Sequence, residues 1–88
     1  MRPSNPIHPG EMLLEEFLIP LKLSQRAFAV KLGWTVAKLN ELIKGKRGIT
    51  AETALDLSET LGTSAEFWLN LQMYYDLNRA IVKRRRAS

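Results

Sequence analysis

Between Lys31 and Gly48 the chain reads KLGWTVAKLNELIKGKRG. The amide of Asn40, the carboxylate of Glu41 and the ammonium groups of Lys38 and Lys44 fall at helical spacing within it. These are groups that hydrogen-bond base edges in a DNA groove, with Glu41 suited to a cytosine amino group and Asn40 or Lys44 to a base edge or a phosphate. Val36 and Ala37 carry no polar atoms, but small side chains permit close approach and their methyl groups can touch a thymine methyl. Gln25, Thr35 and the backbone at helix ends suit phosphates. Lys38, Lys46 and Arg47 would add salt-sensitive affinity.

The charge distribution agrees. The net charge is +4 over 88 residues. Lys22 to Arg47 holds seven bases against one acid, Glu41. Lys83 to Arg86 adds four more bases, and the rest of the chain is net acidic. Such segregation favours a polyanionic partner for the central stretch. The tail run has a second explanation, because cations complement the dipole at a helix C-terminus. Arginine-rich tails also bind RNA, so KRRR does not choose the nucleic acid.

Catalytic chemistry finds little support. There is no cysteine, which excludes a disulfide framework, a thiolate zinc site and a cysteine nucleophile. His8, the sole histidine, lies in a proline-rich stretch where a loop role is expected. Glu11 and Glu15 share a helix face but have no histidine partner for a metal. Glu15 and Glu16 are adjacent and diverge. KGKRGIT lacks the preceding strand and full spacing of a phosphate loop. We expect no enzyme, no metal and no cofactor. No signal-peptide pattern opens the chain and no apolar run approaches membrane-spanning length, so a cytoplasmic protein without membrane contact is expected.

Five helices must position these groups, and no window alternates as a strand would. The first is expected from about Gly10 to Ile19, with Leu13, Leu14, Phe17 and Leu18 on one face and Pro20 at its end. Ser24 caps the second, with Leu23 and Phe28 at the spacing of a hydrophobic staple, and Gly33 ends it. Thr35 caps the third, and Trp34 and Leu39 repeat the staple spacing. Trp34 is therefore expected to pack at the helix start rather than stack on a base. Thr50 caps a fourth helix closed by Gly62, and Ser64 caps a fifth. Glu52 and Glu66 complement the dipoles in their first turns. The chain reads as one domain, residues 1–88.

Ala29, Gly33, Leu39 and Leu42 supply a small residue, a turn glycine and later core positions at helix-turn-helix offsets, over about 24–44. On the third helix Leu39, Leu42 and Ile43 turn inward, leaving Ala37, Asn40, Glu41 and Lys44 outward with Val36 and Lys38 flanking.

With HPGEML, LSQRAFAVKLG, ELIKGKRGIT and TALDLSETLGTSAEFWLNLQMYYDL in place, the chain from about Pro6 to Leu77 resembles the HigA-type antitoxins of the Xre-like helix-turn-helix family. The last two segments are the specific ones. The resemblance implies an all-α, five-helix, lambda-repressor-like DNA-binding domain with a long C-terminal helix. It implies a dimeric antitoxin of a type II toxin-antitoxin module. Such a protein binds double-stranded operator DNA, represses its own operon and neutralises a small RNA-cleaving toxin, a HigB-type ribonuclease. WTVAKLN departs from the more frequent Ser/Pro/Arg-containing versions, and the tail after Arg79 lies outside the resemblance. The rival readings are a stand-alone helix-turn-helix repressor without a toxin and an interaction module that no longer binds DNA.

The C-terminal helix, about 65–83, carries two apolar faces. Phe67, Trp68, Leu71, Tyr74, Tyr75, Ile81 and Val82 form the broad one, and Leu69, Met73, Leu77 and Ala80 a narrower strip. Gln72, Asp76, Arg79 and Lys83 separate them on one side. One face meets the core, and the strip is expected to meet a second copy about a two-fold axis.

Overall fold

The chain is seen as a computed structural model that describes residues 7–87. His8 starts the first helix, α1 (Pro9–Leu13). Its extended backbone frees the imidazole Nδ1 to accept from the Gly10 N–H at 2.9 Å. Pro9 fills the first helical position, where no N–H is needed. The only histidine is thus a neutral cap at a helix start. Burial pushes its pKa below the ordinary value, with Asp76 opposing and Arg79 assisting.

α1 continues without a break into a π-helical segment, Leu14–Leu18. The Ile19 N–H reaches back to the Leu14 carbonyl, and the Leu23 N–H to that of Leu18. Pro20 ends the segment because it has no N–H and its ring crowds the carbonyl four residues back. The chain turns sharply at Lys22, whose φ of 57° is left-handed without a glycine.

α2 (Gln25–Leu32) and α3 (Val36–Ile43) form the helix-turn-helix. The Ser24 hydroxyl accepts from the Ala27 N–H, and Thr35 accepts from that of Lys38. Gly33, φ 74°, makes the turn, and no atom lies within 4 Å of where its Cβ would be. Backbone conformation, not crowding, therefore demands glycine there. The Trp34 N–H closes the turn on the Ala29 carbonyl. α4 (Ala51–Leu61) is capped by Thr50 and ends at left-handed Gly62. α5 (Ala65–Ala87) is capped by Ser64 and runs through the whole basic tail, four residues beyond the expected end at 83.

Every helix feeds one core. Leu13, Leu18, Phe28, Ala29, Leu39, Leu42, Ile49, Ala54, Leu57 and Trp68 are buried. Trp68 packs against Phe17 at 5.3 Å between ring centres, and its Nε1–H donates to Thr63 Oγ1 at 2.7 Å. At 1.5 Å per residue α5 is about 34 Å long, and the molecule measures 46 × 22 × 22 Å. Asn78 is still buried and Ile81 and Val82 half-buried, and from Lys83 to Ala87 every side chain of the helix is exposed. Among the described residues there is no strand.

Candidate nucleic-acid interface

α3 is held from behind by Leu39 and Leu42, both fully buried. That orientation leaves Val36, Ala37, Glu41 and Lys44 exposed and Lys38 and Asn40 half-buried. The expected outward face is therefore present, except that two of its polar residues are partly engaged by neighbours.

Trp34 anchors the start of α3. Its Nε1–H donates to Asp56 Oδ2 of α4 at 2.9 Å. Its ring lies under the Lys38 ammonium, 4.1 Å from the ring centre, close enough for a cation–π attraction. The residue thus packs structurally, as its position suggested. It also pins the turn to α4 and orients one of the candidate phosphate-binding lysines.

Gln25 and Asn40 join the two helices. Asn40 Nδ2 donates to Gln25 Oε1 at 3.2 Å, so the Gln25 amide hydrogens remain for another acceptor. Glu41 pairs with Arg47 at 2.7 Å, both side chains close to half exposed. Such an exposed pair contributes about 0–1 kcal/mol, so its main effect is to occupy both groups in the absence of a ligand.

The segment after α3 carries Lys44, Lys46 and Arg47, all exposed. Gly45 turns it with φ 76°. Gln72 of α5 fixes its far end by accepting from the Ile49 N–H at 2.7 Å, while its own amide donates to Asp76 at 3.0 Å. Gln72, a polar separator between the two faces of α5, also ties that helix to the loop. Gly10 lies against the last turn of α3, where a Cβ would overlap the Leu42 carbonyl group and crowd the Ile43 backbone. The HPGEML segment thus caps α1 with its histidine, starts it with its proline and lets it touch α3 through its glycine.

On α5 the strip Leu69, Met73, Leu77 and Ala80 is exposed, with Met73 at 50%. The broad face needs two corrections, the first being Phe67, which is 36% exposed although its ring meets Phe17 and Trp68. Tyr74, expected toward the core, is 51% exposed, because the helix reaches the body chiefly through Trp68, Leu71, Gln72 and Tyr75. Asn78 is buried and donates to the Tyr74 carbonyl.

Asp56, Gln72, Gly10 and His8 position this surface, and none was singled out for that role. Asp56 and Gln72 act across 22 and 23 residues, so no local pattern marks them. His8 and Gly10 left a usable signal, since a cap candidate directly before proline marks a helix start. Among the described residues no cluster of His, Asp or Glu is arranged to hold a metal ion, and no helix is long and apolar enough to cross a membrane.

Comparison with known proteins places these features in context. Residues 14–68 match the HTH_3 helix-turn-helix family. Virulence-associated protein I of Dichelobacter nodosus is 49% identical over 74 residues, 84% of this chain and 68% of that protein. Antitoxin HigA-1 of Vibrio cholerae is 40% identical over 72 residues, 82% of this chain and 68% of its own length. The solved structure of Pseudomonas aeruginosa antitoxin HigA with the higBA promoter superposes with a TM-score of 0.86 at 39% identity, covering 93% of this chain and 89% of that one.

Proposed function

The chain belongs to the Xre-like helix-turn-helix family, among the HigA-type antitoxins, and from this premise we propose that it binds operator DNA as a dimer, represses its own operon and neutralises a small RNA-cleaving toxin. The observation that carries the DNA half is the outward face of α3. It presents short side chains at its capped start and bases at its end, while Leu39 and Leu42 hold it rigidly from within.

Within that reading each group has a role. Val36 and Ala37 let the helix start sit deep in the major groove and meet thymine methyl groups. Thr35 Oγ1 accepts from the backbone, so its hydrogen is available to a phosphate. The Gln25 amide, braced by Asn40, suits a second phosphate. Lys38, Lys44 and Lys46 each neutralise a phosphate and so release a counterion from the DNA. Glu41 keeps its second carboxylate oxygen for a base while the first holds Arg47, and a contact that displaces Arg47 frees that guanidinium for the backbone. A duplex titration at several salt concentrations tests this half, and a binder loses affinity steeply as salt rises.

The dimer is proposed through Leu69, Met73, Leu77 and Ala80, an apolar strip that the body leaves open. Two-fold pairing sets two α3 helices against half-sites about 34–36 Å apart. Removing α5 is a poor test because Trp68 belongs to the core. Met73→Glu with Leu77→Glu leaves the core intact and should give a folded monomer by sedimentation; a persisting dimer would refute the strip.

The toxin half rests on the family. Co-expression with the small reading frame beside this gene tests it. A stoichiometric complex, with growth arrest when that frame is expressed alone, supports the antitoxin role. No complex and no toxicity would leave a stand-alone repressor.

A further inference from the structure

The basic tail is an ordered continuation of α5, and one of its faces runs on from a face that touches the α3–α4 loop. Gln72 bonds the Ile49 N–H of that loop. One turn further, Tyr75 meets the His8 ring edge-on at 4.8 Å, and a Cβ on Gly45 of the loop would stand 3.7 Å from the same ring. Arg79 follows, its guanidinium 5.5 Å from the Tyr75 ring centre. Lys83 and Arg86 then sit four and seven residues beyond Arg79, on the same helix face. All three are exposed, and no acid follows Asp76 in the chain. The face that packs on the body near the loop becomes wholly basic where the body ends.

The loop side of this junction already carries Lys44, Lys46 and Arg47. The macrodipole favours cations in the last turn of a helix, yet it does not place them on the face continuous with a second basic segment. Round the helix, Arg79 and Arg86 lie about 80° or more from every residue of the apolar strip, while Lys83 borders it, three residues beyond Ala80. Pairing of two copies through that strip therefore leaves Arg79 and Arg86 uncovered, with Lys83 at the rim of the pairing surface.

The geometry points to a second phosphate-binding surface for duplex DNA, a ridge formed by Arg79, Lys83 and Arg86 that extends the basic loop after α3. It rests on the reading that this chain binds DNA through α3. The ridge meets the sugar-phosphate backbone beside the stretch that α3 reads. It adds affinity and salt sensitivity with no base preference, because phosphates carry no sequence information directly. Duplex DNA fits better than an acidic protein patch because the ridge continues the helix face that touches the loop and offers charges at about one-turn intervals along a rod.

The test compares the full chain with Lys83→Gln/Arg86→Gln, two changes beyond the folded body, using a duplex of the chain's own upstream region and an unrelated duplex of equal length. The slope of log affinity against log salt should become shallower by roughly 0.9 for each phosphate that is no longer neutralised, about 2 per protomer. Affinity should fall for both duplexes by a similar factor, leaving their ratio unchanged. Lys83→Glu/Arg86→Glu should weaken binding further, with unchanged helix content by circular dichroism. An unchanged slope in both variants, with the parent chain still binding, overturns the ridge alone. A loss confined to single-stranded RNA of equal length overturns it in favour of RNA. A parent chain that binds no duplex removes the DNA reading and the ridge with it.

Discussion

Replacing Gly10 by alanine separates two physical effects of opposite sign. Glycine to alanine in an ordinary helix adds about 1 kcal/mol of stability. At Gly10 the new Cβ would overlap the Leu42 carbonyl and crowd the Ile43 backbone. Neither obstacle is the loose end of a side chain, so α1 must move away from α3 or α3 must bend. Overpacking of this kind costs about 1–3 kcal/mol and occasionally more, and a backbone obstacle puts Gly10→Ala at the upper end. Gly33→Ala is the internal control. No atom lies within 4 Å of its Cβ position, but its φ is 74°, so its cost is conformational, about 1–2 kcal/mol. Urea unfolding followed by circular dichroism, at one fixed protein concentration, reads both. The overpacking cost of about 3 kcal/mol less the helix gain of about 1 leaves about 2 kcal/mol, so with a slope of about 1–3 kcal/mol per M Gly10→Ala should lower the midpoint by about 0.7–2 M. Gly33→Ala should lower it by less. A Gly10→Ala midpoint equal to or above that of the parent chain would refute the close approach of α1 to α3.

Three further outcomes follow from the structure. Asp56→Ala strands the half-buried Trp34 Nε1–H, so stability should fall by about 1–2 kcal/mol and the Trp34 fluorescence should shift, while Asp56→Asn retains an acceptor and should lose less. Lys22→Gly relieves a left-handed φ of 57° and should raise stability by about 0.5–1 kcal/mol in urea unfolding. His8 is held neutral, its pKa lowered by burial; its contribution is fully present above the unfolded value near 6.5 and is lost as pH falls through the lowered folded value. His8→Asn keeps a capping acceptor without titrating, so unfolding measured at about pH 7.5 and about pH 5 should show a smaller difference than in the parent chain.

The parts of this protein that were legible in its sequence are those decided within about one helical turn. Ser24, Thr35, Thr50 and Ser64 each cap a helix as their positions suggested, because a capping hydroxyl needs only an N–H three residues away. Gly33 and Gly62 end helices in the left-handed conformation for an equally local reason. The helix-turn-helix followed from the spacing of Ala29, Gly33, Leu39 and Leu42, and so did the outward face of α3, since the helical repeat alone sorts its residues into two sides. What engages that face was not legible. Asn40 is bonded to Gln25, Glu41 to Arg47 and Lys38 lies over Trp34, because each partner is brought in by the path of the chain.

Tertiary structure alone decided where α1, α4 and α5 touch the reading helix. The Trp34–Asp56 and Gln72–Ile49 hydrogen bonds join residues more than twenty positions apart, and Gly10 meets a helix end across more than thirty. Such pairings depend on how whole helices settle around Trp68 and the leucines of the core. The same settling exposed Tyr74 and buried Asn78, against what their chemical types on the helix wheel imply. A helix wheel states which residues share a side; only packing against the other helices determines which side faces inward.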